Sequence, residues 1–193
     1  MADSFGGLAG MIAGEVMARM NRAAEVEAIE ILDPAPAERV LVIGFGPGVG
    51  VALLARRLAA GKVVGVDPSA TMLRAAARAN RAAIAAGRVE LRQVRADATG
   101  AGDASFDGAI AVNALQLCEP FAATAAELAR VLRPGALLVS LTHDWALARH
   151  GGSAGDWLAG ARADLEAAGF EVVRDFRGKA ESGRIVALTA RRG

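Results

Sequence analysis

Four glycines alternate with other residues along Val40 to Gly50, VLVIGFGPGVG, at positions 44, 46, 48 and 50. Glycine reaches positive φ without a Cβ penalty and leaves backbone N–H groups unshielded, so this spacing makes a loop that a polar ligand can approach closely. The spacing also limits the ligand. A dinucleotide site needs glycines at i, i+2 and i+5, and counting from Gly44 or Gly46 puts Val49 or Val51 in the third place. A nucleoside triphosphate loop needs a Lys-Ser or Lys-Thr pair after the glycines, and none follows. What remains is the compact form Gly44-Phe45-Gly46-Pro47-Gly48, in which the backbone can approach a ligand that has no pyrophosphate.

The other residue types suited to chemistry are two histidines and one cysteine. A histidine's unperturbed pKa lies near neutrality, which makes His143 and His150 the first candidates for a general base. His143 directly follows a predicted strand, at the edge where an open α/β sheet binds ligands, so it is the candidate for catalysis or substrate binding, with a structural role left open. His150, beside Gly151 and Gly152, reads as a solvated loop histidine. Asp144 and Trp145 could shape the same pocket as His143 or serve only the fold. Cys118 reads as a small buried hydrophobe. A single cysteine supports neither a disulfide framework nor a thiolate metal cage, and no metal site is expected.

These residues must be positioned by alternating strands and helices. The β-branched run before Gly44 and the apolar segment 51–58 after the loop read as a buried strand, a tight turn and a helix. Further strands are predicted over 62–66, 88–94, 106–112 and 136–141, with helices over 69–86, 121–132 and 153–168; alternation of this kind implies a parallel sheet covered on both faces. Ser153 is a plausible N-cap and Gly169 a C-cap for the last helix. The two final strands, 170–176 and 184–189, are too close in sequence for a helical crossover and should pair antiparallel.

Ahead of this core, Phe5, Leu8, Ile12, Val16 and Met20 fall on one face of a helix weakened by four glycines, each costing up to about 1 kcal/mol relative to alanine. A better helix, 22–32, stops before Pro34 and Pro36. The 193 residues, 53% hydrophobic and 22% charged, suit one domain over 1–193, with 1–33 as a helical N-terminal segment and 38–193 as the core. The net charge of +1 is interspersed, without basic clusters, so nucleic acid is not an expected partner. Neither a signal peptide nor a membrane span is expected, and a reducing cytoplasm suits the lone cysteine.

Several segments in this order resemble the class I S-adenosylmethionine-dependent methyltransferases, in particular the small bacterial group similar to quinone-biosynthesis methyltransferases. They are the glycine loop, VVGVDPSATML from Val63 to Leu73, RADA from Arg95 to Ala98, SFDGAIAVNALQ from Ser105 to Gln116, and ELARVLRPGALL from Glu127 to Leu138. The resemblance implies a Rossmann-like α/β fold, a mostly parallel seven-stranded sheet with helices on both faces, one antiparallel strand near the C-terminus and an N-terminal helical lid. It implies S-adenosyl-L-methionine as cofactor and S-adenosyl-L-homocysteine as product.

Carried over residue by residue, the resemblance puts the methionine part of the cofactor over Gly44, Phe45, Gly46 and Gly48 and the ribose hydroxyls on Asp67, whose carboxylate can accept from both members of a vicinal diol. Pro68 and Met72 would lie by the adenine, Asp97 would accept from its exocyclic amine, and the Ala98 N–H would donate to a ring nitrogen. Asn113 would face the sulfonium. Two departures stand out. Relatives usually carry an acid where Val42 stands, so cofactor binding should be weaker or rely on another group. TGAGDA at 99–104 replaces a segment that shapes a pocket wall in relatives, which points to a more flexible wall.

The expected activity is methyl transfer to a small-molecule acceptor by in-line displacement, governed by alignment and exclusion of water. With only His143 to Gly152 between the fifth strand and the last helix, the N-terminal segment 5–20 is expected to be the main lid, although its apolar stripe could equally be a homodimer contact. Val42 keeps two alternatives open: a cofactor-binding relative that catalyses a non-methylating cyclisation or rearrangement, and a non-catalytic binding protein.

Overall fold

The computed structural model describes residues 21–149, 153–180 and 183–193. The segment 5–20, read as a lid or dimer contact, and His150 lie outside the described residues. Helix α1 occupies 21–32 and is followed by β1 (Arg39–Ile43), α2 (Val49–Arg57), β2 (Lys62–Val66), α3 (Ala70–Ala79), α4 (Arg81–Ala85), β3 (Val89–Arg92) and β4 (Phe106–Val112). The chain continues through α5 (Phe121–Val131), β5 (Leu132–His143), α6 (Asp144–Ala148), α7 (Ala154–Ala167), β6 (Phe170–Ala180) and β7 (Gly183–Arg192).

The strands form one seven-stranded sheet in the order β3-β2-β1-β4-β5-β7-β6. The first five in this order run parallel, and β7 is antiparallel to both β5 and β6. Apolar residues at consecutive positions explain the burial of β1 on both faces. Val40 and Val42 pack with Ala24, Ala28 and Leu32 of α1 and Val51 and Leu54 of α2, while Leu41 and Ile43 pack with Leu128 of α5 and Leu165 of α7. Two close approaches set the position of α1. A Cβ at Gly108 of β4 would meet Leu32 Cδ1 at 2.7 Å, and a Cβ at Gly50 of α2 would run into the Glu25 carboxylate.

Differences from the predicted elements have local causes. The helix predicted over 69–86 is interrupted at Asn80, whose buried amide donates to the carbonyls of Gly48 (3.1 Å) and Ala76 (2.9 Å). Strand β5 begins at Leu132, ahead of the Pro134-Gly135 pair, with a shift of register against β4 between Phe106 and Gly108. β6 runs four residues past Phe176, through an exposed, charge-bearing stretch whose edge position hides the apolar alternation of a strand. Ser153 accepts from the Asp156 N–H and caps α7, and Gly169 follows that helix at φ 89°.

The segment 99–104, expected from its departure from the family pattern to form a more flexible wall, does not border the cavity and is tethered. Glu127 Oε1 accepts from the Thr99 N–H at 2.9 Å and from its hydroxyl at 2.5 Å, and Arg130 donates to Ala101 O and pairs with Asp103. Burial works against the Glu127 charge, yet Arg130 and Thr99 outweigh it and hold the carboxyl below its ordinary range. Among the described residues, no helix is long and apolar enough to cross a membrane.

Candidate active site

The parallel order reverses between β1 and β4: the chain moves from β1 outward to β2 and β3, then returns to β4 on the other side of β1. A crevice opens at the C-terminal ends of strands at such a switch point. Here it is a cavity of about 760 Å³, walled by the loops after β1, β2, β3 and β4 and by Asn21 and Glu25 of α1. A volume of this size suits a small-molecule ligand.

The glycine loop forms the floor. Gly44 (φ 65°) donates its N–H to Val66 O at 2.8 Å, and a Cβ there would lie 2.5 Å from Ala114 Cβ, so the backbone needs glycine for both conformation and space. Gly46 (φ 49°) borders the cavity, and a Cβ there would meet nothing within 4 Å. Phe45 turns inward, 2% exposed, and its ring lies against Gly65 of β2, where a Cβ would come within 2.9 Å of Cδ1.

Asp67 is the best-organised polar group in the wall. Its Oδ2 accepts from the Gly46 N–H at 3.0 Å and its Oδ1 from the Ser69 N–H at 2.9 Å, so one carboxylate fastens the β1 loop to the β2 loop. Each oxygen keeps a second lone pair for a donor in the cavity. The carboxylate can therefore accept two further donors from the cavity side. Met72 lines the cavity beside it, as do Pro68 and Ser69, and Ser69 Oγ caps α3 by accepting from the Met72 N–H at 3.3 Å.

Asp97 also lines the cavity, but its carboxylate is gripped by Arg95, with contacts of 2.8 to 3.1 Å from Nε and Nη2. That guanidinium holds Asp97 below the ordinary carboxylate range. The Ala98 N–H donates to Arg95 O at 3.2 Å, and Ala98 is not part of the wall, whereas Asp97 is.

Asn113 adopts φ 52°, a left-handed conformation that asparagine tolerates better than most residues. Its Nδ2 donates to Asn21 Oδ1 at 3.1 Å, tying α1 to the end of β4, and its Oδ1 accepts from the His143 N–H at 2.8 Å. The His143 ring Nδ1 lies 3.1 Å from the same oxygen, which requires the tautomer with a proton on Nδ1 because an amide oxygen only accepts. His143 is fully buried, stacked on Trp145, and does not border the cavity; its route to the site runs through Asn113.

Among the wall residues that escaped the sequence reading are Asn21, Glu25, Arg95 and Thr124. A signal existed for Glu25, a charge set within the buried stripe Ala24, Ala28, Ile29 and Leu32 of a short helix. Cys118 borders the cavity, its Sγ donating to Ala114 O at 3.6 Å, and burial pushes its thiol up, which fits an inert side chain.

Comparison with known proteins agrees with this geometry. Residues 40–135 match a family model described as a methyltransferase domain. O-methyltransferase cnsE of Penicillium expansum is 36% identical over 108 residues, 56% of this chain and 39% of that protein. The chain spans 33% and 39% of the lengths of the curated relatives it matches. Among solved structures, the [4+2]-cyclase SpnF superposes with a TM-score of 0.73 at 20% identity, covering 89% of this chain and 81% of that one. Geranyl diphosphate C-methyltransferase from Streptomyces coelicolor A3(2), in complex with Mg2+, geranyl diphosphate and S-adenosyl-L-homocysteine, gives 0.72 at 15% identity, covering 89% and 79%. The structural likenesses establish the fold. With its glycine loop, switch-point crevice and matched methyltransferase domain at residues 40–135, the chain has the fold of the class I S-adenosylmethionine-dependent methyltransferases.

Proposed function

We propose that the cavity binds S-adenosylmethionine and that the chain directs methyl transfer to a small-molecule acceptor. The observation that carries this reading is the Asp67 carboxylate, fixed by two backbone N–H groups and facing the cavity beside the glycine floor. When bound, the cofactor supplies a methyl group made electrophilic by a sulfonium. The protein's part is alignment and exclusion of water.

In this reading Asp67 accepts from both ribose hydroxyls. Gly44, Phe45 and Gly46 hold the methionine part, Pro68 and Met72 flank the adenine, and Asp97 accepts from its amine; Gly48 does not border the cavity but turns the loop against Ala76 and Asn80 at φ 90°. Asn113 faces the sulfonium end and is held there by Asn21 and His143. His143 is a positioning residue whose ring and backbone both fix that amide.

Titration calorimetry with S-adenosylmethionine and S-adenosylhomocysteine, followed by incubation with methyl-labelled cofactor and a panel of acceptors, tests the proposal. Binding with label transfer supports it. Absence of binding at millimolar ligand overturns it. An acceptor consumed without label would favour the cyclisation alternative.

A further inference from the structure

We infer that the Glu25 carboxylate, carried by helix α1, is the anchor for the α-ammonium group at the methionine end of the cofactor; this rests on the S-adenosylmethionine reading of the cavity. Glu25 borders the cavity and lies against Gly50, in the first turn of α2 just beyond the glycine loop. Its Oε2 is removed from solvent and has no hydrogen-bond partner among the described residues. A buried oxygen left in this way costs free energy unless a ligand completes it.

The other acids of the wall already hold donors from the protein. Both oxygens of Asp67 hold backbone N–H groups, and Asp97 is paired with Arg95, the only other charged residue bordering the cavity among those described. Beneath the loop β1 offers only Val42, 2% exposed and packed among apolar neighbours. A ligand that brings an ammonium to this end of the loop therefore meets one carboxylate with an oxygen that no donor among the described residues holds, Glu25 Oε2.

Two tethers hold it there. Leu32 packs onto Gly108 at one end of α1, and Asn21 is bonded to Asn113 at the other. Burial also pushes the Glu25 carboxyl up to about 8, with no charged neighbour among the causes, so the free protein carries this group protonated near neutral pH. On binding, the carboxyl O–H breaks, its proton goes to the buffer, and the carboxylate pairs with an ammonium that keeps its own protons.

The test is calorimetric titration of the full chain at pH 7, in two buffers of different ionisation enthalpy. The probes are S-adenosylhomocysteine and 5′-methylthioadenosine, which shares the nucleoside and sulfur but has neither ammonium nor carboxylate. The wild type is expected to release about one proton with S-adenosylhomocysteine and none with 5′-methylthioadenosine. Glu25→Gln is expected to abolish that release and to weaken S-adenosylhomocysteine about tenfold or more, while 5′-methylthioadenosine changes by less than about twofold.

Equal losses for the two probes, or unchanged S-adenosylhomocysteine affinity in a variant with native thermal unfolding, would overturn the inference. So would wild-type binding without proton release, a result that needs no variant at all. Failure of the wild type to bind either probe would instead remove the cofactor reading beneath it.

Discussion

Asp67 Oδ2 accepts the backbone N–H of Gly46 at 3.0 Å, a bond that joins the loops after β1 and β2 across the floor of the cavity. The carboxylate holds the loop and, in the proposed function, also meets the ligand. Asp67→Ala is expected to weaken S-adenosylhomocysteine binding by about 1.5 to 3 kcal/mol, the range for charge-assisted hydrogen bonds. A 2′-deoxy analogue should lose affinity against the wild type and lose far less against the variant. Equal losses in both proteins would take Asp67 off the ribose.

The glycines of the loop differ in what they tolerate. Gly44→Ala places a Cβ 2.5 Å from Ala114 at φ 65° and is expected to destabilise the fold by about 2 kcal/mol or more, read by urea denaturation. Gly46→Ala meets no atom, so only the strain of φ 49° is felt, about 1 kcal/mol. Its larger effect should fall on cofactor affinity, because the new methyl stands beside the ligand. The opposite ranking in stability would show that the loop is not held as described.

Glu25 makes stability depend on pH. Its folded pKa of about 8 lies above the ordinary 4.5, so between these values the folded chain binds more protons than the unfolded one. Stability of the ligand-free protein should therefore fall as pH rises from about 4.5 to about 8. Chemical denaturation of wild type and Glu25→Gln across this window is expected to give curves that differ by a growing margin, the variant gaining relative to the wild type. Parallel curves would place the Glu25 carboxyl in water.

The Thr99 to Glu127 contact fixes the segment 99–104, which does not border the cavity. Glu127→Gln is expected to cost about 1 to 3 kcal/mol, since it weakens the acceptor for two Thr99 donors and the partner of Arg130. Hydrogen exchange at the Thr99 and Ala101 amides should accelerate with it. Unchanged protection would mean that the backbone of 99–104 holds itself.

The strands and the cofactor loop were legible because their residues answer to local physics. A β-branched run buried on both faces and glycines at positive φ leave marks in the chain itself. The place of Asp67 at the end of a strand, beside the glycine loop, was legible too. The break at Asn80 was not, because it depends on Gly48, thirty-two residues away, which takes a bond from the asparagine amide. The tether of 99–104 hid for the same reason, lying in Glu127 and Arg130 of a different helix. The departure from the family pattern suggested a loose TGAGDA, but its partners lie elsewhere in the chain. His143 could be placed at a sheet edge by sequence, but only the left-handed turn at Asn113 shows that its ring faces an amide rather than the cavity.

Phe45 and Gly65 have a consequence of another kind. The phenyl ring occupies the volume that any side chain at position 65 would claim. A larger residue in β2 there would lift the ring, and with it the two flanking glycines that line the floor. Positions 45 and 65 are therefore free to vary only as a pair, large over small. A library built on this scaffold should randomise them together and leave neither to change alone.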